Sequence, residues 1–207
     1  MSSTLSLILK DIPRCDLVFC DLDGTLVDSE QFRISSYYDS LNEYGFSFEV
    51  VPLSKLVGNS PYSNLKKISP SLSDSQIYSI LKHRNQKLSR ISPGSISLIP
   101  GVYPTLLKYF RNIVLVTNST QDYANSVIQH FKLRIDSIVC CETSSGLQPK
   151  PSPSLYEYAF ANFLPPTCPS VVLEDSPAGL QAASLASTDF IVSISTNGQA
   201  ALHQRPF

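Results

Sequence analysis

The chain has almost no net charge. Over 207 residues, sixteen basic side chains face seventeen acidic ones, a formal −1. No global field draws it to nucleic acid or to an anionic membrane, so neither is expected as a partner. Long hydrophobic runs are also missing. Leu5 to Leu9 is too short for a leader, and nothing approaches the roughly 20 apolar residues of a membrane span. Cysteines are few and odd in number, at five. Cys15 and Cys20 stand five apart and Cys140 and Cys141 are adjacent, with no C-x-x-C pair and no partnering histidines. Neither a disulfide framework nor a zinc site is supported. Reduced thiols are the expectation, and the protein reads as soluble and cytoplasmic. The three histidines, His83, His130 and His203, are scattered and expected at the surface. Serine is about one residue in six, yet no G-x-S-x-G occurs, which argues against a serine hydrolase. No Walker-type glycine loop is present either.

What is there suits a folded α/β protein. With 43% hydrophobic and 16% charged residues, the chain is too apolar for disorder, and its length fits one domain carrying a smaller insert. Short, unalternating runs rich in β-branched residues mark five strands: Leu17–Cys20, Ile113–Val116, Ser137–Cys140, Val171–Leu173 and Phe190–Ile194. Such runs suit strands covered on both faces of a parallel sheet. Helical patterns at Gln121–Phe131, Pro153–Phe163 and Ala178–Leu185 alternate with the last four. The fold class expected is therefore a Rossmann-like, doubly wound parallel sheet.

The first crossover is different. About 90 residues separate the first two strands, where a dozen suffice. Apolar stripes over Phe32–Tyr44 and Ile77–Ile91 make this insert helical. It leaves the core near Val27–Ser29 and returns through Ser92–Gly101, whose prolines and glycines suggest a hinge. Helix Val102–Phe110 then leads into the second strand. Residues 1–28 and 96–207 are expected to form the core, and 29–95 a small helical domain.

Open α/β sheets place ligands at the carboxyl ends of their strands. Here those ends carry Asp21 and Asp23, then Thr117-Asn118-Ser119, then Glu174-Asp175, with Lys150 in the loop after the third strand. Asp21, Asp23 and Asp175 make a hard oxygen cage suited to Mg²⁺. Thr117, Asn118 and Lys150 make a donor set suited to a phosphoryl dianion. Each also has a plainer reading: a turn for Asp21 to Gly24, a helix cap for Thr117 to Ser119 or Glu174-Asp175, a solvated loop lysine for Lys150.

Taken together the segments resemble a known family. Phe19 to Ser29, FCDLDGTLVDS, looks like the nucleophile motif of the haloacid dehalogenase superfamily. Val116 to Ser119, Lys150 to Pro153 and Leu173 to Gly179 resemble its second, third and fourth motifs, in order. The helical insert after the first motif is similar to the cap of the β-phosphoglucomutase-like branch, whose members mostly act on small phosphorylated metabolites. The resemblance implies Asp21 as nucleophile, forming an aspartyl-phosphate. It implies Asp23 as general acid and base, its backbone carbonyl also a metal ligand. Asp175 would ligate Mg²⁺ through its side chain, with Glu174 as ligand or support. Thr117, Asn118 and Lys150 would hold the phosphoryl oxygens. Dehalogenases of the superfamily lack the second aspartate, so Asp23 favours phosphoryl transfer.

In the insert, Arg84 falls on the apolar stripe of Ile77–Ile91, and a cation there wants an anionic partner. Arg84-Asn85 also sits where β-phosphoglucomutase-like proteins carry a basic residue and Asn facing the substrate. The alternative is an arginine that snorkels to the helix edge. Leu56 to Ser60 resembles the family's specificity loop, but Pro61 stands where the sugar-phosphate mutase carries arginine for a second phosphate. Arg33 stands where relatives often have histidine. These departures favour a Mg²⁺-dependent phosphatase acting on a small phosphomonoester, as a monomer or weak homodimer. A phosphomutase is the first alternative and a catalytically silent binding protein the second.

Overall fold

The computed structural model describes residues 3–56, 61–88, 90 and 94–204. Its centre is a six-stranded sheet built from β1 (Leu17–Cys20), β4 (Asn112–Val116), β5 (Ser137–Val139), β6 (Val171–Glu174), β7 (Phe190–Ile194) and β8 (Ala200–Gln204). The spatial order is β5-β4-β1-β6-β7-β8. The first five strands run parallel and β8 pairs antiparallel with β7.

Both faces of the sheet are covered, which is why its strands read as apolar runs without alternation. On one face Val18, Cys20, Ile113, Leu115 and Leu173 pack on α1 (Thr4–Asp11), α5 (Val102–Tyr109) and α6 (Gln121–Phe131). On the other, Leu17, Phe19, Val114, Val116 and Val172 pack on α7 (Ser154–Phe163) and α8 (Pro177–Leu185). This is the doubly wound architecture. The strand order reverses around β1, which lies between β4 and β6, and a crevice therefore opens at the carboxyl end of β1.

The long crossover from β1 to β4 holds α2 (Glu30–Glu43), a 3-10 turn at Leu53–Lys55, α3 (Pro61–Ile68) and α4 (Asp74–Leu88). These helices share their own apolar cluster, in which Tyr37 and Leu41 of α2 meet Leu65 and Ile68 of α3 and Ile77 and Ile80 of α4. The chain enters through β2 (Val27–Asp28) and returns through β3 (Ser97–Leu98), and these two short strands pair antiparallel. The outgoing and incoming segments thus run side by side.

Several elements differ from the sequence expectations. The helix expected over Ile77–Ile91 starts earlier, at Asp74, and ends at Leu88; Ile91 and the loop residues Val57 to Ser60 lie outside the described residues. Helices α1 and α3 and strand β8 carry signals too short to stand out alone. Eight-residue α1 exists because Ser3 accepts the Ser6 N–H and Leu5 and Leu9 bury against the sheet. Strand β8 exists because the open edge of β7 offers a ladder.

Candidate active site

The carboxyl ends of β1, β4 and β6 and the loop after β5 converge on one point. The Asp21 N–H donates to Leu173 O at 3.0 Å, continuing the β1–β6 pairing by one residue. Gly24 then turns the chain at φ +88, and a Cβ there would overlap the Asp175 carboxylate. Glycine is needed on both counts, for the left-handed backbone and for the close approach.

Lys150 is buried among the acids. Its ammonium donates to Asp21 Oδ1 at 2.7 Å, to Val116 O at 2.6 Å and to Glu174 Oε1. Burial alone would lower its pKa, but Asp21 and Glu174 outweigh that and raise it, so the charge is secured. Glu174 is fully buried and also accepts from Tyr156 Oη at 2.7 Å. A Cβ at Gly179, in the first turn of α8, would overlap its carboxyl. Asp175 accepts from Thr25 Oγ1 at 3.0 Å.

Carboxylate oxygens of Asp21, Glu174 and Asp175 all lie within 4.8 Å of one another. Burial first, and the neighbouring carboxylates next, push Asp175 up to about 7 and Asp21 well above the ordinary aspartate range, although Lys150 acts against this. Three crowded acids with one ammonium between them lack compensating positive charge. A hard divalent cation fits that deficit and this all-oxygen donor set.

The Asp23 carboxylate turns away from that trio. It accepts from Ser29 Oγ and Ser119 Oγ, both at 2.5 Å, and from Tyr123 Oη at 2.9 Å, and it pairs with Arg33 at 3.1 Å. Burial opposes ionisation, but Arg33 and the three hydroxyls outweigh it and lower the Asp23 pKa.

Thr117 is buried in the wall of the same cavity, and its hydroxyl accepts the Ser119 N–H at 3.1 Å. Asn118 also bears on Lys150. Its carboxamide clamps the backbone of Lys150, accepting from Lys150 N at 2.8 Å and donating to Lys150 O at 3.1 Å. It positions the lysine loop and keeps its second N–H at the edge of the cavity, which Asn118 also lines.

Arg84 does not snorkel. It is 2% exposed and stacks on the Tyr37 ring, 3.9 Å from the centroid. It donates to Arg33 O at 2.8 Å, while its Nε has no partner. Burial lowers its pKa to about 10. Its direct contacts within the protein are thus a ring face and a carbonyl.

Asp21, Asp23, Arg33, Arg84, Thr117, Asn118, Ser119, Lys150 and Asp175 line one cavity of about 210 Å³ between the sheet and α2–α4, joined there by Glu30, Tyr37 and Asn64. That is below the roughly 300–1,000 Å³ of drug-sized pockets, so the ligand is small. Tyr123, Tyr156 and Asn64 were not anticipated as site residues. The two tyrosines read as core positions of α6 and α7, and only their hydroxyls, reaching out of those cores, join the site.

An open parallel sheet, switched in order around β1 and bearing acids and a lysine at its strand ends, defines a Rossmann-like α/β protein with a cation-seeking cleft. The family model of the haloacid dehalogenase-like hydrolases matches residues 18–193, and the chain belongs to that family. Fructose-1-phosphate phosphatase YqaB of Escherichia coli is 24% identical over 179 residues, spanning 84% of this chain and 94% of that protein. CbbY from Rhodobacter sphaeroides, solved with phosphate, superposes with a TM-score of 0.70 at 18% identity, covering 87% of this chain and 86% of CbbY. A haloacid dehalogenase-like family hydrolase of Streptococcus pneumoniae gives 0.68 at 18% identity, covering 89% and 86%. Among the described residues no helix is long and apolar enough to cross a membrane.

Proposed function

We propose that the protein is a Mg²⁺-dependent phosphatase that hydrolyses a small phosphomonoester of the sugar phosphate or phosphoglycolate type. The observation that carries this reading is Asp21 held at 2.7 Å by Lys150 beside the carboxylates of Glu174 and Asp175. Residues 1–28 and 96–207 are the catalytic core in this reading, and 29–95 a cap over it. In this reading the enzyme works in the cytoplasm, as a monomer or weak homodimer.

Asp21, Asp175 and Glu174 would hold the metal, with the Asp23 backbone carbonyl. When bound, Mg²⁺ supplies the positive charge that keeps these acids ionised and offsets the phosphoryl oxygens. Asp21 attacks phosphorus, the bond to the ester oxygen breaks, and Asp23 gives that oxygen its proton. The product is an aspartyl-phosphate on Asp21. Water then attacks phosphorus, Asp23 takes its proton, and inorganic phosphate leaves Asp21. The four donors around Asp23 favour its ionised form, the one this second step needs, and the proton it takes from water there is the one it gives in the first step of the next turnover. Lys150 and Thr117 hold the developing charge on the phosphoryl oxygens. The relative from Escherichia coli, named as a fructose-1-phosphate phosphatase, supports the phosphatase reading. Pro61 opens α3 without offering a donor to a second phosphate, which weighs against a phosphomutase.

Phosphate release from a panel of phosphomonoesters, with Mg²⁺ or with EDTA, tests the proposal. Release should require the metal and fall about 10³-fold or more in Asp21→Asn. Turnover in EDTA, or an unaffected Asp21→Asn, would sink it. Product isomer without inorganic phosphate would mean a mutase.

A further inference from the structure

The end of the sheet opposite the acids carries a pair of thiols that the proposed chemistry does not use. In the β1–β6 pairing, Phe19 stands opposite Val172 and Cys20 opposite Leu173. Carried back four residues, the same register sets Cys15 opposite Cys168, one just before β1 and the other in the loop between α7 and β6. Neighbouring strands lie about 4.8 Å apart, inside the roughly 4.4–6.8 Å of Cα separation that a disulfide spans. The side chains meet as well. The Cys15 thiol donates a hydrogen bond to the Cys168 sulfur, and the Leu17 N–H donates to the sulfur of Cys15.

The other cysteines lack this arrangement. Cys20 and Cys140 are fully buried, with thiols donating to Asp21 O at 3.1 Å and to Gln121 Oε1 at 3.7 Å. Cys140 and Cys141 are consecutive, and consecutive Cα atoms lie about 3.8 Å apart, too close for an unstrained bridge. Cys15 and Cys168 are also within reach of a reagent. Cys168 is half-buried, and both residues line a cavity of about 190 Å³ together with Phe163 and Pro165. Burial first, and the hydrogen bond to Cys168 next, push the Cys15 thiol up to about 11, so Cys168 is the thiol that reacts first.

We propose that Cys15 and Cys168 form a redox-sensitive dithiol site, which a small-molecule disulfide closes into a cross-link between the start of β1 and the loop before β6. The Cys168 thiolate attacks one sulfur of R–S–S–R, and a mixed disulfide forms as the first R–S⁻ leaves. Cys15 then gives up its proton, its sulfur attacks that of Cys168, and the second R–S⁻ leaves. Two cysteine thiols are oxidised, and one small disulfide is reduced to two R–SH, which carry off both protons. The cross-link staples two strands whose far ends carry Asp21 and Glu174, so it restrains unfolding and leaves the acids in place.

The test incubates the full-length protein with oxidised glutathione, then denatures, alkylates and maps the peptides by mass. Wild type should lose two hydrogen atoms and yield a linked peptide holding Cys15 and Cys168. It should also melt about 5 °C or more above the reduced form. Cys15→Ser should stop at a glutathione adduct on Cys168, and Cys168→Ser should give no link. A glutathione adduct that persists on Cys168 of wild type, a Cys15 that is still alkylated in full, or a linked form that melts no higher overturns the proposal. These readouts do not depend on phosphate release.

Discussion

Lys150 brings one positive charge into a space that two carboxylates share directly, and its stem and head are shut off from water. Removing one member of such a set leaves the others buried and unpaired, which costs more than the set itself contributes. Lys150→Met should therefore destabilise the metal-free protein by about 3–5 kcal/mol, read from urea unfolding. Mg²⁺ should raise the melting temperature of this variant more than that of wild type, because the acids it frees gain most from a cation. An unchanged urea midpoint would mean that the pairing with Asp21 and Glu174 carries little. The lysine and its acids were legible in the sequence as residues at strand ends. Their mutual pairing was not, since Lys150 and Asp21 lie 129 positions apart. The donors to Asp23 were hidden for the same reason, with Ser119 and Tyr123 lying 96 and 100 positions away.

At the level of elements, the start of α8 connects packing to the site. Ser176 caps the helix by accepting the Gly179 N–H at 3.0 Å, and Pro177 supplies a pre-set first turn. Gly179 itself has ordinary helical backbone. It is glycine because the Glu174 side chain fills the space of a Cβ. Gly179→Ala should displace Glu174 from Lys150 and Tyr156 and cost about 1–3 kcal/mol, seen as a lowered denaturation midpoint with a loss of phosphate release. Retained stability and activity would show that Glu174 has room to move. The five parallel strands were readable as short apolar runs covered on both faces, and the helices α5–α8 from the period of their buried faces. Helix α1 and strand β8 were not, because each depends on a partner distant in sequence. Ala200 N–H donating to Thr4 Oγ1 at 2.9 Å, 196 positions apart, joins the region of one to the other.

At the scale of the whole molecule, the apolar cluster of α2–α4 is separate from the two clusters that flank the sheet. Elements with their own core open as units. Ile77→Ala, in the middle of that cluster, should cost about 2–5 kcal/mol of local stability. Hydrogen exchange should then accelerate in α2, α3 and α4 while β1, β4 and β6 keep their protection. Equal acceleration in the strands would mean that insert and sheet unfold together. Independence of that kind would give a cavity walled by both parts a means to open for substrate and product.

The amino-acid sequence by itself determined the doubly wound core, the helical insert after β1 and the row of acids and lysine at the strand ends. Those features follow from local periodicity and from residue types at places where a parallel sheet must end. Only the tertiary structure decided that Asn118 braces Lys150, that Arg33 and three hydroxyls claim Asp23, and that Arg84 and Asn64 enter the cavity wall with a polar atom unmatched. These outcomes depend on contacts between segments far apart in the chain, whose geometry is set by how helices and sheet pack.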